Sequence, residues 1–210
     1  MNPETGPVGR AGPEAVAARR ASPTQTRLLR RAISVGLGAA VVAAAAQVVV
    51  PVPFSPVPMT LQPLAVLAVG GLLGGIGGLS ALVLYLLLGL LGLPVFAGGG
   101  SGAWHLLGPT GGYLLAFPIA AAVTGALVRA AIKASPGSVN GRVILLVLLS
   151  CALGMSIIHV GGVAQLALLG GDPALAFRVG FTPFLTGDLL KVGLAAALIL
   201  AAGPKIRSFL

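Results

Sequence analysis

Acidic residues are the scarcest feature of this sequence: Asp and Glu together number four in 210 residues, all charged residues reach only 8%, aromatic residues 5%, and cysteine occurs once. A soluble domain carries about a quarter of its residues as charges, and a water-facing surface cannot be built without them. A soluble enzyme is therefore excluded. The single Cys151 rules out a disulfide-stapled secreted fold and reads as a small apolar core residue. What is present in excess is apolar: 57% of the chain, with a mean hydropathy of +1.04. The 97 residues between Arg31 and Arg129 contain no Asp, Glu, Lys or Arg. Such a composition excludes disorder of the whole chain and places it in a bilayer.

A hydrocarbon core about 30 Å thick needs roughly 20 apolar residues in a helix. That rule converts the apolar runs into six expected spans, at about 30–50, 60–77, 79–93, 111–130, 143–169 and 184–203. The second and third are separated only by the glycine cluster Gly74-Gly75-Ile76-Gly77-Gly78. The run 61–93 is too long for one helix and too short for two full spans, so one of the pair is expected to be short, tilted or broken at glycine.

The formal charge of +9 would suggest nucleic acid if it formed a patch, but its distribution follows the membrane. Arg10, Arg19, Arg20, Arg27, Arg30 and Arg31 precede the first span; Arg129, Lys133 and Arg142 border the loop after the fourth; Lys205 and Arg207 follow the sixth. Eleven of the 13 basic residues thus fall on one side, and Arg178 alone on the other. Lys and Arg are enriched in cytoplasmic loops, so both termini are expected inside. Residues 1–28 read as a disordered basic cytoplasmic tail and 29–210 as a six-helix transmembrane substrate-binding domain. A cleaved signal peptide ending near Ala43-Ala44-Ala45 is the alternative reading of the start, and it would put the basic loop 129–142 on the wrong side. The fold class is accordingly an all-α polytopic membrane protein: a six-transmembrane-helix bundle with both termini cytoplasmic.

Charged groups inside a membrane cost roughly 2.5–3.5 kcal/mol each on insertion scales, so Asp188 and Lys191 stand out. Three apart on a helix, they share a face and partly neutralise each other. They are either an internal ion pair that locks the sixth span or a polar anchor for a ligand. Pro51-Val52-Pro53-Phe54-Ser55-Pro56-Val57-Pro58 forces an extended segment that reads as a lid. The glycine-rich stretch from Gly92 to Gly102 is either a ligand-hugging loop or a set of tight turns. His105 and His159 read as structural histidines, and no metal site can be assembled from groups so dispersed. Ala39 and Ala43, or Ala40 and Ala44, have the small-xxx-small spacing that admits a neighbouring helix, inside the bundle or on a partner. No lysine follows a glycine, so there is no P-loop and no nucleotide hydrolysis through one.

Four motifs in order are more specific. Pro58-Met59-Thr60-Leu61-Gln62, Gly89-Leu90-Leu91-Gly92-Leu93-Pro94-Val95-Phe96, Gly108-Pro109-Thr110-Gly111-Gly112-Tyr113 and Gly187-Asp188-Leu189-Leu190-Lys191 resemble the BioY family, the biotin-binding S components of energy-coupling factor transporters. The resemblance covers about residues 30–203. It implies a six-helix bundle that binds biotin near its external face in a prokaryotic plasma membrane. It also implies as partners a transmembrane coupling protein and two ATPase subunits, with no cofactor, no nucleic acid and no enzymatic activity. By the same resemblance Asp188 and Lys191 contact the vitamin, with Gln62, Tyr85, Ser101 and Thr110 as further candidates. Tyr85, Phe96 and Trp104 are expected as apolar walls, and Ala39 and Ala43 as the coupling interface. The family motif ending in Pro-Gly-Asp is here Leu185-Thr186-Gly187-Asp188, with the proline displaced to Pro183. A secondary transporter or channel for another small solute is the competing function; a membrane enzyme lacks a cluster of catalytic polar residues, and a purely structural membrane subunit is the remaining alternative.

Overall fold

The computed structural model of the chain describes residues 23–135 and 139–209, without the side chains of 23, 204, 205 and 207–209. The expectation for the tail over residues 1–22 lies outside the described residues. Helix α1 (Pro23–Ala46) starts ahead of the expected residue 29 and is followed by two short antiparallel strands, β1 (Val49–Val50) and β2 (Met59–Thr60). Their register pairs Val49 with Thr60 and Val50 with Met59, closing the proline-rich segment into a loop. There follow α2 (Gln62–Leu90), a 3-10 turn (Ala97–Gly99), α3 (Trp104–Leu107), α4 (Gly111–Lys133), α5 (Gly141–Gly170), α6 (Pro173–Gly180), a second 3-10 turn (Thr182–Phe184) and α7 (Leu185–Phe209).

Among the described residues, five helical segments are long and apolar enough to cross a membrane: Thr24–Ala46, Gln62–Leu90, Gly111–Lys133, Gly141–Gly170 and Pro173–Gly203. The second is not straight. Gly74 has φ 79° and ψ 172°, a conformation open in practice only to glycine, and the chain reverses there. Two contacts establish the reversal. Gln62 Nε2 donates to Tyr85 Oη at 2.6 Å, although 23 residues of straight helix would separate them by roughly 34 Å. A Cβ on Gly78 would stand 2.8 Å from the Cα of Gly70. The two arms, 62–73 and 75–90, therefore lie antiparallel. The expected division at the glycine cluster occurs at its first residue.

Small residues let these arms approach their neighbours. Gly70 faces the backbone of Ala121, Gly125 faces the backbone of Gly70 and of Gly74-Gly75, and Gly38 of α1 sits between Val69 and Ala81. Without water between helices, contact of this kind is what holds a bundle together. Large apolar side chains point the other way: Leu37, Leu87, Ile119, Val160, Leu168 and Leu198 are exposed, one or more on every long helix. Buried apolar residues form two clusters, one around Leu82, Tyr85, Phe96 and Phe117 and one around Val128, Val147, Cys151 and Ile199.

Helix ends follow local chemistry. Asn140 caps α5 by accepting from the Val143 N–H at 3.0 Å, and Gly171 ends that helix in the left-handed region with φ 69°. Asp172 then caps α6, accepting from the N–H groups of Ala174 (2.9 Å) and Leu175 (3.0 Å). Helix α6 is an addition to the expected layout. It caps the end of the bundle and delivers Phe184 and Asp188 to the interior.

Candidate functional site

A cavity of about 210 Å³ opens at this end of the bundle, bordered by the segment after β1, the glycine-rich loop, and helices α2, α4, α5 and α7. Its polar centre is a chain of three buried groups. Asp188 Oδ1 accepts from Lys191 Nζ at 2.8 Å, and Asp188 Oδ2 accepts from His159 Nε2 at 2.6 Å. All three side chains are 9% exposed or less. A single carboxylate facing two basic groups is thus spent at both oxygens, whereas each basic group has capacity left. Lys191 has three N–H donors and one bond to Asp188 among the described residues. Nδ1 of His159 is buried and has no hydrogen-bond partner among the described residues.

Around this centre the walls are Val57, Phe96, Leu114, Phe117, Ile158 and Phe184, with polar contributions from Thr60, Gln62, His105, Thr110 and Tyr113. Gln62 is held from both sides: its Oε1 accepts from Thr60 Oγ1 at 3.0 Å while its Nε2 donates to Tyr85. Tyr113 donates to the carbonyl of Gly180 at 2.6 Å and ties α4 to the end of α6. That ring fits because Gly162 has no side chain, since a Cβ there would overlap it. Gln165 donates to the carbonyls of Leu106 (2.9 Å) and Gly108 (2.6 Å), fixing the approach to α4 from the loop before it. No group of three or more potential metal ligands occurs among the described residues.

Of the residues expected from sequence, Asp188, Lys191, Gln62 and Thr110 border the cavity. Tyr85 and Ser101, expected with them, do not border it. Tyr85 is fully buried behind Gln62, where its ring meets Phe96 edge-on. Ser101 turns its backbone inward: its carbonyl accepts from His105 Nδ1 at 2.9 Å, so it places the imidazole that borders the cavity. Trp104, expected as a wall, is 82% exposed; Phe96, expected likewise, is a wall.

Ala39 also faces the wrong way for a coupling surface. It is 2% exposed, in the core, with Ala43 packed on the same cluster. The exposed pair with the same spacing is Ala40 and Ala44. His159, read from sequence as a structural histidine, joins Asp188 and the cavity. Its signal was there: an ionisable side chain in the middle of a long apolar span is rare for a reason. Phe184 carried no such signal, because only the turn before α7 turns it inward.

Comparison with known proteins gives consistent matches. The BioY family matches residues 17–208. The biotin transporter BioY of Thermotoga maritima is 38% identical over 172 residues, 82% of this chain and 95% of the relative. The biotin transporter BioY of Rhodobacter capsulatus is 35% identical over 189 residues, covering 83% and 95% respectively. A crystal structure of the S-component for biotin from an ECF-type ABC transporter shares the fold, with a TM-score of 0.75 at 24% identity, over 90% of this chain and 95% of that one.

Proposed function

The chain belongs to the BioY family, and from that premise we propose that it is the biotin-capturing subunit of an energy-coupling factor transporter. It is a multi-pass membrane protein and, like its relatives, a transporter component and not an enzyme. One observation carries the binding reading: a fully engaged carboxylate, Asp188, holds two under-used basic groups at the wall of a mostly apolar cavity. Biotin fits that chemistry. Its ureido group offers two N–H donors and a carbonyl acceptor, and its thiophane ring and valeryl chain need apolar walls. In this reading Lys191 and His159 supply hydrogen bonds to the ligand, Asp188 fixes their positions, and Gln62, Thr110 and His105 complete the polar rim. The segment 57–60 closes over the cavity as part of the lid.

The two arms of α2, counted separately, make six membrane-crossing segments. Arg31, Arg129 and Lys133 gather at the end of the bundle away from the cavity, which supports cytoplasmic termini and a cavity opening outward in a prokaryotic plasma membrane. Energy then comes from partner subunits on the cytoplasmic side, since the chain has no P-loop.

Isothermal titration of the detergent-purified protein tests the substrate: saturable heat with biotin, without ATP and without heat from thiamine or riboflavin, is expected. Equal binding of thiamine, or none of biotin, would end the assignment. The partner surface is proposed on the outer face of α1, where Gly36, Ala40 and Ala44 recur at intervals of four and a Cβ on Gly36 meets nothing. Ala40→Leu is expected to leave biotin binding intact and lower biotin uptake by the assembled transporter several-fold. Ala39→Leu, which overfills the core, is expected to lower stability by about 1–3 kcal/mol. Uptake unchanged in Ala40→Leu would move the coupling surface elsewhere.

A further inference from the structure

A second, larger cavity of about 560 Å³ lies between α1, the reversal of α2 and the end of α4. Along α4 it is far from the first: Tyr113 borders one cavity and Arg129 the other, a separation of roughly 24 Å in a helix. Arg31, Arg129 and Lys133 converge on it, with the hydroxyls of Ser34 and Ser80 as additional donors and Leu73 and Ile132 as apolar walls. Ile76, at the tip of the reversal, also borders it and is 84% exposed.

Three cations around one hollow repel each other and need a counter-charge. Among the described residues the only carboxylates are Asp172, at the start of α6, and Asp188, in the first cavity. Neither serves here. The tail over residues 1–22 carries Arg10, Arg19 and Arg20 against Glu4 and Glu14, so its side chains are net basic. Arg129 is positioned in advance by a bond from its guanidinium to the Leu73 carbonyl at 3.4 Å.

We infer that this cavity is a binding site for the phosphate headgroup of an anionic membrane lipid. Guanidinium and ammonium groups pair with phosphate oxygens, serine hydroxyls add hydrogen bonds, and the apolar flank at Leu73, Ile76 and Ile132 lies where acyl chains begin. Basic hollows between membrane helices at the cytoplasmic side have the chemistry of headgroup sites. The inference needs only that the helices cross a membrane, and it is independent of what the first cavity binds.

The test is competition between phosphatidylglycerol and phosphatidylcholine for the purified full chain in detergent, with bound lipid counted by native mass spectrometry. The expected result is preferential retention of phosphatidylglycerol that millimolar inorganic phosphate does not displace. Lys133→Gln and Arg31→Gln are each expected to reduce that preference about fivefold, the effect of one basic residue near an anionic surface. Arg129 is left unchanged because its bond to Leu73 also supports the reversal of α2. Size-exclusion profiles and melting temperatures of the same samples verify that the variants are folded. Equal retention of both lipids, wild-type preference in both variants, or displacement by free phosphate would overturn the proposal. So would a loss of co-purified coupling protein in Lys133→Gln without any lipid preference in the wild type, which would assign the hollow to an acidic partner surface.

Discussion

Replacing Asp188 by Asn is expected to weaken biotin binding roughly ten- to a hundredfold, the range for losing a charge-assisted hydrogen bond of about 1.5–3 kcal/mol. The reason lies in the connectivity. Asp188 accepts from Lys191 through one oxygen and from His159 through the other, so a neutral amide, with a single carbonyl oxygen, can hold only one of them and releases the ammonium that the carboxylate positions toward the ligand. The ammonium of Lys191 is left in a buried site without its counter-charge, a change that costs about 3–5 kcal/mol where it has been measured for buried pairs. Thermal stability should therefore fall together with affinity.

The double variant Asp188→Asn with Lys191→Met separates the two effects. Without the stranded ammonium, and with the Asn carbonyl still able to accept from His159, stability should return toward wild type while biotin binding stays weak. Titration and thermal melting of the three variants provide the measurement. A stable double variant with wild-type affinity would reduce the pair to an internal lock, and the ligand contacts would then have to come from Gln62, Thr110, His105 and His159.

The second large effect is expected at Gly70. A Cβ there would come within 2.5 Å of the Ala121 carbonyl oxygen and 2.8 Å of its Cα. Both are backbone atoms of α4 and cannot rotate away as a side chain can. Gly70→Val should therefore force the first arm of α2 off α4 and cost about 1–3 kcal/mol or more, with loss of folded protein from the membrane fraction. Leu168→Ala, at a residue 85% exposed, is the comparison and should change stability by no more than about 0.5 kcal/mol. Size-exclusion profiles and melting temperatures of the two variants check this. A monodisperse Gly70→Val protein with wild-type stability would show that the α2–α4 contact is looser than its geometry.

Composition and spacing settled a good deal. A chain with so few charges can satisfy its backbone polar groups in lipid only by folding into helices or a closed barrel, and runs of about 20 apolar residues select helices. Helix α5 begins and ends close to the expected limits because caps are local: Asn140 and Gly171 act on residues within a few positions of themselves. Asp188 and Lys191 were legible for the same kind of reason, since a buried pair at i and i+3 needs no tertiary information to be recognised.

What tertiary structure alone decided is which residues meet across elements. Tyr85 and Gln62 are both plausible ligands in sequence, but the reversal at Gly74 stacks one behind the other, and only Gln62 reaches the cavity. Ala39 and Ala40 are adjacent and chemically identical, yet a rotation of 100° per residue puts one in the core and the other on the surface. His159 becomes part of the site because α5 and α7 pack so that it meets Asp188, 29 positions further along the chain. The sequence determined that this chain is a helical membrane bundle with one charged pair inside it. Which face of each helix looks inward depends on how glycines let the helices approach, a property of pairs of elements that no single stretch of sequence contains.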